Sequence, residues 1–509
     1  MDLIRLTILA ALGLSLVGCG SKPSATQPST AQRPVTTSQQ TTATIEDPGN
    51  PTAFRQGTSK KPETAPPKNE GERLFNQFMN NDNAKERFKP GPIQVHEEFE
   101  ADPAKLSVAG IRTISGTHLT LYTDLPASAE LNSFPALFDA AFPHWCSYFH
   151  VDPAKHANWK IKACLMSGKE KFSAAGLLPG NLPEFLYGYA RNDTVWLLDQ
   201  PSDYYQRHLL LHEGTHAFMN NLLGGAGPPW YMEGMAEYFG THSWDGKKLE
   251  VGIVPNNKLD VPMWGRIKII KEEYKAQRGM TLGTIMIYGP TAHLQNEPYG
   301  WCWGAVTYLD HNPRSQKAFR ESYKNVRFHT DLSRRLLESL ADQWPEISEG
   351  WQLFVVNSEY GYDFARNDVQ YKKGQAITGA SATAMITADR GWQSTGILLE
   401  AGKTYQLSAS GQYQIAQEDN QPWMSEPNGI TLRYYNGFPL GMLMCGLRAD
   451  NWNGQGTAPL AFQEPVGSQR ELKIETNTTL YLKVNDHPAQ LGDNIGNVTI
   501  EVKEVESAR

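Results

Sequence analysis

Apolar and polar positions along the chain fall into three textures. Between Gly20 and Glu70 there is no Leu, Met, Trp or Tyr, and Ser, Thr, Pro and Gln dominate, as in Thr36-Thr37-Ser38-Gln39-Gln40-Thr41-Thr42. Such a stretch cannot bury enough apolar surface to offset the entropy of ordering, which predicts a disordered tether over 19–70. From 71 to 372 the pattern is mixed. His118 to Thr123, Trp159 to Met166 and Thr194 to Leu198 are β-rich and read as strands. Phe134, Leu137, Phe138 and Phe142 recur at helical spacing within a helix expected over Leu131 to Phe149. A second helix is expected from Tyr204 to Leu223, capped by Ser202 or Asp203 and stopped by Gly224-Gly225. Pro228-Pro229 opens a third, closed by Gly240. Further helical segments are expected at Gly304–Leu309 and Asp331–Trp351. After 373, short β-rich runs alternate with Gly, Asn and Pro turns, at Gly396–Leu399, Tyr405–Ser408, Thr431–Tyr435, Leu472–Ile474, Leu480–Val484 and Val498–Val502. Strands at this spacing with no helix between them predict an all-β sandwich over 373–505.

Composition narrows the functional classes. The 509 residues allow about three units at roughly 150 residues per domain. The 47 basic residues against 54 acidic ones give a net charge of −7. No long basic run appears, so nucleic acid is excluded as a partner. Five cysteines exclude a disulfide-dense scaffold, although Cys146 and Cys164 could pair in an oxidising compartment. At the N-terminus, Asp2 and Arg5 precede an apolar stretch from Leu6 to Val17, too short to span a bilayer. With Gly18-Cys19 it resembles the signal and lipobox of bacterial lipoproteins. That resemblance implies cleavage after 18, acylation of Cys19, and an exported chain held on the bacterial cell envelope by its lipid.

The most informative residues are His212-Glu213-Gly214-Thr215-His216, inside the second expected helix. Positions i and i+4 share a helix face, so both imidazoles can reach one cation with Glu213 beside it. If Pro229 starts a helix, Glu233 and Glu237 also share a face, one turn apart. Catalytic zinc needs three protein ligands and an open position, and two His with one Glu is an attested set. Glu237 is placed to orient a ligating His. A metzincin would need Gly and His where Met219 and Leu222 stand. His208 is assigned no role, His242 reads as a surface residue, and Trp301, Cys302 and Trp303 read as core.

These residues, with Trp230-Tyr231-Met232-Glu233-Gly234-Met235-Ala236, resemble the gluzincin, thermolysin-like metallopeptidases over Tyr204 to Thr241. The resemblance implies an α+β metallopeptidase domain over 71–372, with Zn²⁺ on His212, His216 and Glu233. It implies Glu213 as general base, Glu237 supporting a ligand, and a Tyr or His from a downstream helix as oxyanion donor, for which Tyr299 is the candidate. The Gly-x-Met-Glu-Asn motif of the aminopeptidase branch is absent, which favours endopeptidase over amine-terminal trimming.

In the C-terminal region, Asn485 to Asn497 is an oxygen-rich loop between two β-rich runs, of the kind that suits a hard cation or simply a polar turn. With Gly391–Ile397, Ala401-Gly402-Lys403, Ser410-Gly411 and Pro439–Leu443 it resembles the calcium-dependent galactophilic lectins over 376–503. That resemblance implies Ca²⁺ held by Asp486, Asp493 and Asn494 side chains and the Gln490 carbonyl, with a glycan completing the shell. Gln490 stands where the family commonly has Thr. The leading expectation is a lipid-anchored zinc peptidase acting on peptide or protein, with a lectin-like module. The alternatives are a non-catalytic glycan-binding lipoprotein on a zinc scaffold, and a zinc hydrolase of a non-peptide amide or ester.

Overall fold

A computed structural model describes residues 99–505, apart from 290, 293, 294 and 328 and the side chains of 329 and 330. The expected signal peptide over 1–18, the acylation site Cys19 and the tether over 19–70 lie outside the described residues. The described part is a mixed α/β region followed by a β-rich region, both inside one compact unit.

The first region is organised around a five-stranded sheet of β1 (Arg112–Ser115), β2 (Leu119–Thr123), β3 (Ile161–Met166), β4 (Gly188–Arg191) and β5 (Thr194–Leu198). Its order is β1-β2-β3-β5-β4. The central β2, β3 and β5 run parallel, and β1 and β4 close the edges antiparallel. Helix α1 (Ala129–Tyr148) starts where Ser128 accepts a hydrogen bond from the Leu131 amide. It buries Phe134, Leu137, Phe138 and Phe142 against the sheet and the next helix, the stripe its spacing predicted.

Helix α2 (Asp203–Phe218) is capped by Ser202, whose hydroxyl accepts from the Tyr205 amide. It continues as one π turn, Met219–Leu223, which ends at Gly224 with φ +76°. The expected single helix is therefore two kinds of helix, and the change falls just after the second histidine. Helix α3 (Pro229–Gly240) has Pro229 in its first turn, where the missing N–H costs no hydrogen bond. After the two-stranded β6 (His242–Trp244) and β7 (Leu249–Val251) come α4 (Arg266–Lys275), α5 (Glu297–His311), α6 (His329–Leu340) and α7 (Trp344–Asn357). Two expectations are corrected here. Helix α5 begins seven residues before Gly304, so Tyr299 lies within it, and the helix expected over Asp331–Trp351 is broken at Ala341–Gln343, before Pro345.

The β-rich region holds β8 (Gln375–Ala376), β9 (Ala382–Thr387), β10 (Gln393–Leu399), β11 (Thr404–Ser410), β12 (Tyr413–Glu418), β13 (Gln421–Ser425), β14 (Asn428–Tyr435), β15 (Phe438–Arg448), β16 (Glu464–Pro465), β17 (Gln469–Lys473), β18 (Thr478–Val484) and β19 (Ile495–Val505). One sheet runs β14-β15-β18-β10-β8 and the other β13-β12-β19-β11-β17, and all pairings but β10 with β8 are antiparallel. Leu407 and Val502 from one sheet and Leu443 and Leu482 from the other share a single core. The segment around Gln417–Glu426 is a tight hairpin. Asp419 and Asn420 at its tip both have positive φ, 49° and 60°, as a two-residue turn of primed type needs.

The two regions meet along α7. Glu349 accepts from Arg448 Nε at 2.7 Å and from the Leu460 amide at 3.1 Å, and both charged side chains are buried. Gln352 donates to the Gly456 carbonyl and accepts from the Ala458 amide. Leu353, Trp392, Met444 and Tyr481 close the seam with apolar surface. Cys146, Cys164, Cys302 and Cys445 are buried free thiols, so Cys146 and Cys164 are not paired. Among the described residues no helix is long and apolar enough to cross a membrane.

Candidate metal centre

Helices α2 and α3 bring three ligating atoms to one point. His212 Nε2 and His216 Nε2 are 3.2 Å apart, and Glu233 Oε2 lies 3.4 Å from the first and 3.6 Å from the second. All three side chains are buried. A tetrahedral zinc with bonds of about 2.0–2.1 Å sets its nitrogen and oxygen ligands about 3.3–3.4 Å apart, so the three atoms already stand at the edges such an ion requires. Glu233 Oε2 has no hydrogen-bond donor aligned on it. The grouping could therefore hold a metal ion such as zinc. Gly234, next to Glu233, lets α5 approach closely: a Cβ there would sit 2.7 Å from the Cys302 carbonyl oxygen.

Glu237 lies behind the grouping. Its two oxygens accept from Arg266 Nε at 2.6 Å and Nη2 at 2.7 Å, a bidentate pair. His212 Nδ1 is 3.2 Å from Glu237 Oε1. That nitrogen has no aligned hydrogen bond, and a proton held on it by the Glu237 charge would leave the Nε2 lone pair facing Glu233 and His216, the tautomer a metal ligand needs. His208 is placed as well, with Nδ1 2.8 Å from the Gly240 carbonyl and Nε2 3.3 Å from Glu237 Oε2. His208, His212 and Glu237 form a second tight cluster. In it Arg266 already supplies positive charge to Glu237, through both carboxylate oxygens.

His242 was expected at the surface and is buried instead. Its Nδ1 bonds the Gly240 carbonyl at 2.8 Å, its Nε2 accepts from Arg207 Nε at 3.3 Å, and its ring stacks on Tyr204 at 4.7 Å. Burial pushes its pKa down to about 3, consistent with a neutral ring.

Burial also pulls on the residues of the grouping, and the charges around them decide the outcome. It lowers His212, but the Glu233 and Glu237 carboxylates outweigh it and hold the imidazole well above its ordinary pKa. It raises Glu233, but His212 and His216 outweigh it and hold the carboxylate below its ordinary range. A metal must displace that proton to bind. Glu213, also buried, is raised by its burial despite His212 and His216 nearby. Strand β4 passes so close that a Cβ on Gly188 would meet Glu213 Oε1 at 2.5 Å. Tyr299, in the first turn of α5, has its ring 6.1 Å from that of His212 and 5.6 Å from the Arg266 guanidinium. Burial and the three glutamates raise its pKa, so it stays a hydroxyl donor. Trp301, Cys302 and Trp303 are core.

Sequence reasoning missed Arg266 and gave His208 no role. Arg266 lies 29 residues beyond Glu237 on a separate helix, and no spacing rule links the two.

In the C-terminal loop, Asp486 and Asn494 are buried, Asp493 is half-buried, and Gln490 has its side chain exposed. Asp486 Oδ1 accepts from the His487 amide and Asp493 Oδ2 from the Gln417 amide, while Asp486 Oδ2, Asp493 Oδ1 and Asn494 Oδ1 are buried with no partner. Donation from Asn494 Nδ2 to the Ala388 carbonyl fixes which end of that amide is oxygen. Burial raises Asp486 to about 6, against the lowering effect of the Asn494 side chain and the His487 amide and with the Asp493 charge pushing upward.

No protein-family model matches this chain. No curated protein does either. A solved domain described as "EclA N-terminal domain; PllA-like lectin" is similar to part of it, at 22% identity over 25% of this chain and 96% of that one, with a TM-score of 0.19.

Proposed function

We propose that the chain is a zinc-dependent peptidase of gluzincin type. The observation that carries this reading is the convergence of His212, His216 and Glu233 at tetrahedral spacing with Glu213 beside them. Zinc on these residues supplies a Lewis acid and lowers the pKa of water in the site. Glu213 takes a proton from the attacking water and returns it to the leaving amine, a task suited to a carboxylate whose burial raises its pKa. Tyr299 donates a hydrogen bond to the oxyanion. Glu237, clamped by Arg266, keeps His212 in the ligating tautomer.

The position of β4 favours a peptide over another amide or ester. It is the edge strand of its sheet and runs against Glu213. Among the described residues no further strand pairs with its outer edge, and an extended peptide added there would bring a scissile bond along the base. The test is metal analysis with cleavage of an unfolded protein, comparing wild type with Glu213→Gln. Glu213→Gln should keep stoichiometric zinc and lose at least about 10²-fold in rate. Equal activity in both proteins would remove the peptidase assignment.

The unpartnered oxygens of Asp486, Asp493 and Asn494 support a second site, for a hard cation such as Ca²⁺, in a lectin-like sandwich. A glycan is then the natural ligand of that module. Export and lipid anchoring through Cys19 rest on the sequence. Cys19→Ser should move the protein from the membrane fraction to the soluble one, and unchanged fractionation would remove the anchor.

A further inference from the structure

We propose that a divalent cation in the Asn485–Asn494 loop tightens zinc binding at His212, His216 and Glu233, through Glu359, Lys271 and helix α4. The proposal rests on the reading of both sites given above and adds their coupling.

In this proposal the loop acts as the two-state element. In its docked form it gathers the Asp486 and Asp493 carboxylates and the Asn494 oxygen and leaves one oxygen of each buried without a donor. Burying such oxygens unpaired is costly, the more so for carboxylates, so the docked form is unfavourable alone and is stabilised by a cation that all three can share. A ligand that favours one form shifts the population toward it.

The docked loop lies against the end of the α/β region. The Pro488 carbonyl accepts from Asn367 Nδ2 at 2.8 Å. Ala489 packs on Gly361, which has φ +77° and would place a Cβ 3.3 Å from the Ala489 methyl. His487 Nε2 stands 4.0 Å from Glu359 Oε2. The same Glu359 oxygen is ion-paired with Lys271 on α4. Five residues earlier on that helix, about 7.5 Å along its axis, Arg266 makes its bidentate pair with Glu237, and Glu237 faces His212 Nδ1. One short helix therefore carries at its start the contact that faces His212 and at its middle the contact that the loop meets. A docked loop restrains Glu359 and with it α4. A released loop frees both.

The test uses the full chain and measures zinc affinity by competition with a chromophoric chelator, without and with saturating Ca²⁺. Calorimetry reads Ca²⁺ binding separately. Ca²⁺ should tighten zinc by at least about fivefold, and by linkage zinc should tighten Ca²⁺ by the same factor. Glu359→Gln removes no ligand of either site, so it should keep Ca²⁺ binding and reduce the coupling to less than twofold. Asp486→Asn should weaken Ca²⁺ binding and abolish the effect of added Ca²⁺ on zinc affinity. If Ca²⁺ binds and the zinc affinity does not move, the coupling is wrong while both sites stand. If Ca²⁺ does not bind, the cation loop and the coupling fall together and the zinc site is untouched. Full coupling in Glu359→Gln would overturn the proposed route.

Discussion

Glu237 and Arg266 shape the candidate centre from behind the His212, His216 and Glu233 grouping. Arg266 is buried beside Glu237 and holds both its oxygens, leaving the carboxylate one orientation in which it still faces His212 and His208. Partners of this kind, one step back from a metal, typically contribute 10–100-fold to affinity. Arg266→Met should therefore weaken zinc by about 10–100-fold and leave the helices intact by circular dichroism. An unchanged zinc affinity would show that Glu237 needs no clamp. The residues of the candidate grouping were legible in the sequence because a helix period links His212 to His216 and Glu233 to Glu237. Arg266 was not, because its relation to Glu237 is purely tertiary. His242 was misplaced for a related reason. Gly240 and Arg207 give its two nitrogens partners inside the protein, which a polar residue after a helix does not disclose.

At the level of elements, the sequence signals worked where an element carries a buried apolar run or stripe and gave less at polar, exposed tips and at helix starts. Helix α1 and strands β5 and β18 carried clear patterns and lie where these placed them. The hairpin of β12 and β13 is polar and largely exposed toward its tip, so no apolar alternation marks it in the sequence, and its turn is made by Asp419-Asn420. Helix α5 begins at Glu297-Pro298, a pair that reads as loop, because proline in a first turn is as compatible with a helix start as with a turn.

Strand β18 also carries a strained charge. The Lys483 ammonium lies 4.8 Å from the Trp392 ring centre, beside a cavity of about 20 Å³ at the seam, and burial lowers its pKa to about 8. Below pH 8 the lysine is charged in both the folded and the unfolded chain, and the cost of burying it is fully felt. From pH 8 to roughly 10.4 the unfolded chain keeps the proton that the folded chain has released, so this residue makes stability rise with pH. Lys483→Met should then stabilise the protein at pH 7 by about 1–3 kcal/mol, with the gain shrinking toward pH 10. Urea unfolding at the two pH values reads both, and a gain independent of pH would assign the effect to packing.

For the whole molecule, the determining feature is the seam along α7. The sequence suggested two modules and gave no sign that they are fixed together, because Glu349 and Arg448 lie 99 residues apart and each reads as an ordinary surface charge. Breaking a buried pair by removing one partner typically costs 3–5 kcal/mol. Arg448→Met should thus destabilise the protein by about that much, and the double variant Arg448→Met with Glu349→Leu should recover most of it. Thermal unfolding of the three proteins decides the matter, since equal losses in the single and the double variant would mean that the ion pair is incidental to the seam.

A closed seam also changes what a second binding site can do for the first. A binding module on a flexible linker raises local substrate concentration over a broad cloud of positions. A module locked to the α/β region works as a ruler. On the proposed reading, a chain gripped at the Asn485–Asn494 loop presents bonds to Glu213 at one distance only, and its fragments should share a common length measured from the point of grip.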